Sequence, residues 1–208
     1  MNRYTIIIAI LAVIVVALIF GYVSCTDQSI KDYTQAIRLD PTDADASYNR
    51  GNAYNNRGLA YSALGQYSEA ILDYTQAIRL DPNHLYAYNN RGVAYAALGQ
   101  YQEAILDYNQ AIELDSTDMN AYFNRGLSWF KLEEYKQAIW NHKQVIEFGR
   151  GDSDVYFSRG LANEMLGEYK YALLDFDQAL RLDSSNVLAR SGKKRVNEIL
   201  LDEKIQIE

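Results

Sequence analysis

Tyr54-Asn55-Asn56-Arg57-Gly58 decides the fold, because it returns as Tyr88-Asn89-Asn90-Arg91-Gly92, Tyr122-Phe123-Asn124-Arg125-Gly126 and Tyr156-Phe157-Ser158-Arg159-Gly160. The glycines stand at a constant step of 34 residues. Reading outward from each glycine, the third residue on is Tyr61, Tyr95, Trp129 or Asn163, and the ninth is Tyr67, Tyr101, Tyr135 or Tyr169. The twelfth is always alanine: Ala70, Ala104, Ala138 and Ala172. Large residues three and four apart share one helix face, and small Gly and Ala mark where two helices approach closely. Each period therefore reads as a helix hairpin. One hairpin cannot cover its own apolar face, so successive hairpins must stack.

A period of 34 residues with this aromatic, glycine and alanine spacing resembles the tetratricopeptide repeat (TPR). Four repeats follow: 51–84, 85–118, 119–152 and 153–186. The resemblance implies an all-α solenoid, a right-handed superhelix of antiparallel hairpins whose first helices line a concave groove for a protein ligand. Upstream, Asp32-Tyr33-Thr34-Gln35-Ala36-Ile37-Arg38-Leu39-Asp40-Pro41 duplicates the second-helix sequence Asp73 to Pro82, so 26–50 reads as half a repeat followed by a helix extension. Asn49-Arg50-Gly51 echoes Asn56-Arg57-Gly58 seven residues later, which predicts a first helix two turns longer with its face preserved. After Asn186 the pattern stops. Residues 187–208 read as a capping helix, with Leu188, Val196, Ile199 and Leu200 inward and the basic residues Arg190, Lys193, Lys194 and Arg195 on a solvated face.

Residues 1–25 are of another kind. From Ile6 to Phe20 every residue is Ile, Leu, Val, Ala or Phe, and no charge falls between Tyr4 and Ser24. Such a run is just long enough to span a bilayer, with Tyr4 and Tyr22 at its interfaces. Two other readings stand beside a spanning helix: a cleaved secretory signal with Arg3 as its basic head, and a lipoprotein signal. Tyr22-Val23-Ser24-Cys25 resembles a bacterial lipobox, which would place lipid on Cys25. All three begin at a membrane. The short basic head favours a single pass with the repeats on the non-cytoplasmic side.

The net charge of −7 opposes binding to nucleic acid, and the lone Cys25 can form no internal disulfide. His84 and His142 fall in different repeats, and no Cys, His or carboxylate grouping has metal-ligand spacing. The expectation is no catalytic residue, no metal and no cofactor. Arg57, Arg91, Arg125 and Arg159 face Asp73, Asp107, Asn141 and Asp175 sixteen residues on, a ladder expected to fix register across each hairpin. Arg150-Gly151-Asp152 lies in a turn, where Asp152 is expected to cap the next helix.

Partner contacts are expected on the first helices: Asn52 and Asn55 in repeat 1, Asn89 in repeat 2, then Phe123, Leu127 and Phe130 in repeat 3 and Phe157, Leu161 and Met165 in repeat 4. The early repeats offer amides and the late ones an apolar row suited to an apolar peptide or amphipathic helix. Packing under the capping helix or in a dimer of this chain is the competing use of that row. In sum the chain reads as a membrane-tethered scaffold that binds one or more proteins, with an envelope-assembly lipoprotein anchored through Cys25 as the alternative.

Overall fold

The computed structural model describes residues 3–207. The side chains of residues 3–12, and with them the interfacial place expected for Tyr4, lie outside the described residues, as do those of residues 44 and 203–207. All regular structure among the described residues is helical, and the chain divides into two compact units, Met1–Leu114 and Asp115–Glu208. The N-terminal unit holds α1 (Arg3–Leu39), α2 (Ala44–Ala63), α3 (Tyr67–Leu80), α4 (Leu85–Ala97) and α5 (Tyr101–Leu114). The C-terminal unit holds α6 (Met119–Lys131), α7 (Tyr135–Glu147), α8 (Ser153–Met165), α9 (Tyr169–Leu182) and α10 (Val187–Ile207).

Local chemistry sets these boundaries. Helix α1 stops at Leu39, just before Asp40-Pro41, because the residue preceding proline is pushed out of the helical region. Asp43, Asp118 and Asp152 then cap α2, α6 and α8 by accepting backbone N–H groups of the first turn. His84 does the same for α4, its Nδ1 accepting from the Ala87 N–H at 3.3 Å. Inside each hairpin the first helix ends on a left-handed residue: Gly65, Gly99 and Gly167 at φ 75–76°, and Glu133 at φ 62°. Two backbone bonds seal each turn, for instance Gly65 N–H to Ser62 O and Gln66 N–H to Tyr61 O.

The repeat glycine is demanded by the ring across the hairpin. A Cβ on Gly58 or Gly92 would stand 2.6 Å from Tyr74 or Tyr108, and one on Gly126 would stand 2.8 Å from His142. Those rings are buried, beside alanines with no exposed surface such as Ala70, Ala104 and Ala138. The 34-residue signature is thus a ring seated on a bare backbone patch.

Helix α2 has 20 residues where α4, α6 and α8 have 13. Its two extra turns lie along α1. Arg50 Nη1 donates to Thr34 Oγ1 at 3.5 Å, and seven residues further along α2 the Arg57 guanidinium pairs with Asp27. The two helices are therefore antiparallel, with Val23, Thr26 and Ile30 of α1 buried, as are Ala46, Ala53 and Ala60 of α2. Upstream the environment changes within one residue. Val13, Ile14, Val15, Val16, Leu18, Phe20 and Tyr22 are exposed, although α1 runs unbroken through them. The apolar segment and the half repeat are one helix, not two parts with a joint.

Helix α10 corrects the expectation that the pattern ends at Asn186. Its buried residues are Ala189, Gly192 and Val196, while Leu188 is exposed. Ala189 and Val196 stand 34 residues after Val155 and Ala162, so α10 packs in the register of another first helix. Nor is its basic cluster left to solvent alone: Lys193 pairs with Asp177 at 2.6 Å and Arg195 grips Glu164 with two bonds of 2.8 Å.

Candidate partner-binding surfaces

The first helices are held in place by the arginine ladder. Arg57, Arg91 and Arg159 each grip an aspartate of the following helix through Nε and Nη2: Asp73 at 2.7 and 2.6 Å, Asp107 at 2.8 and 2.7 Å, Asp175 at 3.0 and 2.6 Å. The aspartates are buried. Burial pushes the Asp73 and Asp107 carboxyls above the ordinary carboxylate range even though each faces a guanidinium. Desolvation thus outweighs pairing, as expected of a pair that specifies register more than it adds stability. In repeat 3 the partner is neutral, Arg125 Nε donating to Asn141 Oδ1 at 2.8 Å.

With the ladder facing inward, the residues expected to meet a partner sort into two groups. Asn55 is buried and accepts from Asn90 Nδ2 at 3.0 Å, while Asn52 and Asn89 are half-buried. The amide surface of repeats 1 and 2 is therefore already engaged in structure at Asn55. In the C-terminal unit, Phe123 is half-buried against the His142 ring at 5.5 Å and is covered by the Arg150 guanidinium at 4.9 Å. Phe130 meets Tyr135 edge-on at 5.3 Å, and Phe157 packs against the Phe176 core. Leu161 is half-buried. Leu127 and Met165 are exposed, at 38% and 52%. The row expected from sequence is thus a floor of packed rings bearing two open aliphatic side chains.

Arg150 also donates to Asp152 at 2.8 Å and to Asn120 at 3.1 Å, so the Arg-Gly-Asp tripeptide is tied into its own turn. Cys25 is exposed on α1 between the buried Val23 and Thr26. His142 is fully buried, with neither ring nitrogen hydrogen-bonded, and burial together with the nearby Arg159 charge lowers its pKa to about 4. His84 is also lowered, by burial, in its capping role. Among the described residues no group of three His, Cys, Asp or Glu side chains is placed to hold a metal ion.

Reading only the first helices passed over a second apolar series. Leu72 and Leu106 in the N-terminal unit, and Trp140 and Leu174 in the C-terminal unit, occupy one place of the second helix at the same 34-residue step, and all are exposed. The period that located the first-helix residues would have located these too.

Comparison with known proteins completes the description. The chain matches the family described as Tetratricopeptide repeat over residues 51–84 and 85–118, and the family described as TPR repeat over residues 26–58. No curated protein sequence matches it. Among solved structures, a crystal structure of MamA is 26% identical with a TM-score of 0.64, covering 76% of this chain and 89% of that one. YrrB, described as a TPR protein with an unusual peptide-binding site, is 23% identical with a TM-score of 0.66, over 86% of this chain and 88% of its own. The first TPR of Spaghetti (RPAP3) bound to the HSP90 peptide SRMEEVD is 26% identical with a TM-score of 0.56, over 58% and 98%.

Proposed function

We propose that this chain, which matches tetratricopeptide-repeat families over residues 26–118, is a membrane-tethered scaffold whose first helices hold a peptide or amphipathic helix of a partner protein. The observation that carries this reading is the pair Leu127 and Met165, open aliphatic side chains on α6 and α8 beside the packed Phe123, Phe157 and Leu161. A floor that cannot collapse, with apolar side chains standing on it, suits the apolar face of a helix laid across it. The peptide-binding site described for YrrB and the HSP90 peptide complex described for RPAP3 support the same use of the fold.

The tether rests on α1. Its apolar side chains stand open from Val13 to Tyr22 and turn inward at Val23, where contact with α2 begins. In a bilayer those side chains would be covered by lipid, and the first hairpin would start at the membrane surface. The unbroken course of α1 through Cys25, with Val23 packed on α2, favours a spanning helix over a lipoprotein cut before Cys25. Such a cut would remove a side chain the fold uses.

Two measurements test this. Crosslinking in native membranes should capture a partner with the wild-type chain and lose it with Leu127→Asp and Met165→Asp together, both exposed positions where stability should shift by under about 0.5 kcal/mol. Undiminished capture would end the first-helix assignment. A membrane-impermeant maleimide should label the single Cys25 from the non-cytoplasmic side. Palmitate incorporation that disappears in Cys25→Ser would establish the lipoprotein instead.

A further inference from the structure

The C-terminal unit carries a cleft of about 370 Å³ between α7 and α9, floored by α8 and distinct from the first-helix row. Ile139, Tyr171 and Leu174 wall it, Lys143 stands at its rim, and Arg159, Asn163 and Asp175 form its floor. It exists because the pattern breaks at three places together, two in repeat 4 and one in the second helix of repeat 3. The position four after each ladder arginine is Tyr61, Tyr95 or Trp129 elsewhere but Asn163 here. In repeats 1 and 2 that tyrosine lies beside the guanidinium, at 5.8 and 5.9 Å; Arg159 retains only Tyr156, at 5.5 Å. Tyr171 has appeared where Glu69, Glu103 and Gln137 stand, turning a polar edge into an aromatic wall.

The third break concerns hydrogen bonding. The ladder arginines have a third nitrogen, Nη1, which in the N-terminal unit donates to the preceding helix. Arg57 gives it to Asp27 and Arg91 to Thr75 at 3.0 Å. Sixteen residues before Arg159 stands Lys143, which cannot accept a hydrogen bond. The residues at the same place elsewhere, Thr75, Asn109 and Asp177, are all acceptors, and Asp177 takes the Lys193 ammonium. Among the described residues Arg159 Nη1 therefore has no hydrogen-bond partner, and it stands beside a second cation in a cleft with apolar walls. Asp175, the only carboxylate lining it, is already occupied by Arg159 and by Asn163 Nδ2 at 3.0 Å. Lys143 makes only a loose pair with Glu147 at 3.5 Å and is free to turn.

We propose that this cleft binds a carboxylate of a partner protein flanked by large apolar side chains, the carboxylate bridging Arg159 Nη1 and Lys143 and the apolar neighbours lying on Ile139, Tyr171 and Leu174. Charge decides the class of occupant: two cations against one satisfied carboxylate leave room for one further anion. The walls exclude a bare hydrated ion as the best fit. The site does not depend on the first-helix row, so either assignment can fail without the other.

The test uses the full chain in phospholipid nanodiscs with 15N-labelled arginine, titrated with acetyl-Leu-Glu-Leu-amide. The Arg159 Nε–H resonance should shift, and the same peptide carrying Gln for Glu, or Ala for both Leu, should bind roughly tenfold more weakly or worse. Lys143→Thr, which restores the acceptor of repeat 2, and Asn163→Tyr, which refills the cleft with the side chain of repeats 1 and 2, should each weaken binding at least as much. Leu188→Ala, at an exposed side chain of α10 outside the cleft, should leave it unchanged. No shift at about 1 mM peptide, equal binding of the Gln peptide, equal shifts with inorganic phosphate, or retention of binding in both repeat-restoring variants would each overturn the proposal.

Discussion

Repeats 2 and 3 are built to the same plan and satisfied to different degrees. At matching places repeat 2 has Arg91 with Asp107, the buried ring of Tyr108 and a turn closed by Gly99; repeat 3 has Arg125 with Asn141, the buried ring of His142 and a turn closed by Glu133. Their first helices are both 13 residues long and their turns take the same left-handed backbone, so the plan tolerates all three exchanges. What differs is the polar accounting. Repeat 2 buries a charge that needs its partner, whereas repeat 3 buries a neutral ring that has none. The comparison teaches that helix spacing is set by size, since ring upon glycine is kept, while pH and mutational sensitivity are set by which polar atoms sit there.

The sharpest way to break the comparison is to remove the arginine from each. Arg91→Met leaves the buried Asp107 without its cation, and should lower stability by about 3–5 kcal/mol. Arg125→Met leaves no unpaired carboxylate at Asn141, whose amide already donates to Gln137 O at 2.8 Å, so the loss should be nearer 1–2 kcal/mol. Chemical denaturation of the two variants in parallel measures this. Equal losses would mean that the ladder acts through arginine packing on its tyrosines, not through charge.

Acid should separate the two repeats next. His142 holds its pKa near 4 in the folded chain against an ordinary 6.5, so between those values the unfolded chain takes up a proton that the folded one refuses. Stability is complete above about pH 6.5 and declines as pH falls toward 4, by about 3 kcal/mol at the limit. His142→Phe, which installs the residue found at Phe176, should abolish that part of the acid dependence while keeping the ring. Thermal midpoints of wild type and variant at pH 7 and pH 4.5 give the answer, and parallel curves would contradict it.

Much of this was legible in the sequence because the period is carried by steric fit. A ring against a glycine admits few substitutes, so Gly58, Gly92, Gly126 and Gly160 could be aligned without any structure. On the capping helix Val196 is buried and Leu200 packs on the core as expected, but Leu188 is not, for the converse reason. Its register is marked by Ala189, Gly192 and Val196, small residues with no distinctive side chain, while Leu188 drew attention and proved exposed. The first-helix row of the C-terminal unit lies on α6 and α8, but sequence could not tell that Arg150, from the next turn, lies over Phe123, because that contact joins residues 27 positions apart through a loop conformation. The cleft in repeat 4 was equally hidden. Asn163 was visible as a departure, yet its consequence needed Lys143 and Tyr171 from two other helices.

Glycine substitution separates the repeats by a smaller margin. Gly92→Ala drives a methyl to 2.6 Å from the six-membered Tyr108 ring, and Gly126→Ala drives one to 2.8 Å from the smaller imidazole. Overpacking of this kind costs about 1–3 kcal/mol, and the first variant should lie at the upper end and the second at the lower. If the order reversed, the His142 ring would have to be the more firmly held of the two.

The smallest effect lies in the turns. Gly99 and Glu133 take the same left-handed backbone at φ 76° and 62°, with equivalent seals: Gly99 N–H to Ala96 O and Gln100 N–H to Tyr95 O in one, Glu133 N–H to Phe130 O and Glu134 N–H to Trp129 O in the other. A side chain in that conformation brings Cβ against the backbone, and glycine relieves it at the expense of a freer unfolded chain. The first effect is the larger where the turn is fixed by two hydrogen bonds, so Glu133→Gly should raise stability by about 1 kcal/mol and Gly99→Glu should lower it by a similar amount. The pair of reciprocal exchanges isolates backbone strain from every other difference between the repeats, because both turn positions are exposed and no Cβ placed on Gly99 would meet a neighbour within 4 Å. Opposite signs of similar size would locate part of the difference between the repeats in the turn; a stabilisation absent from Glu133→Gly would leave that difference to Asn141 and His142.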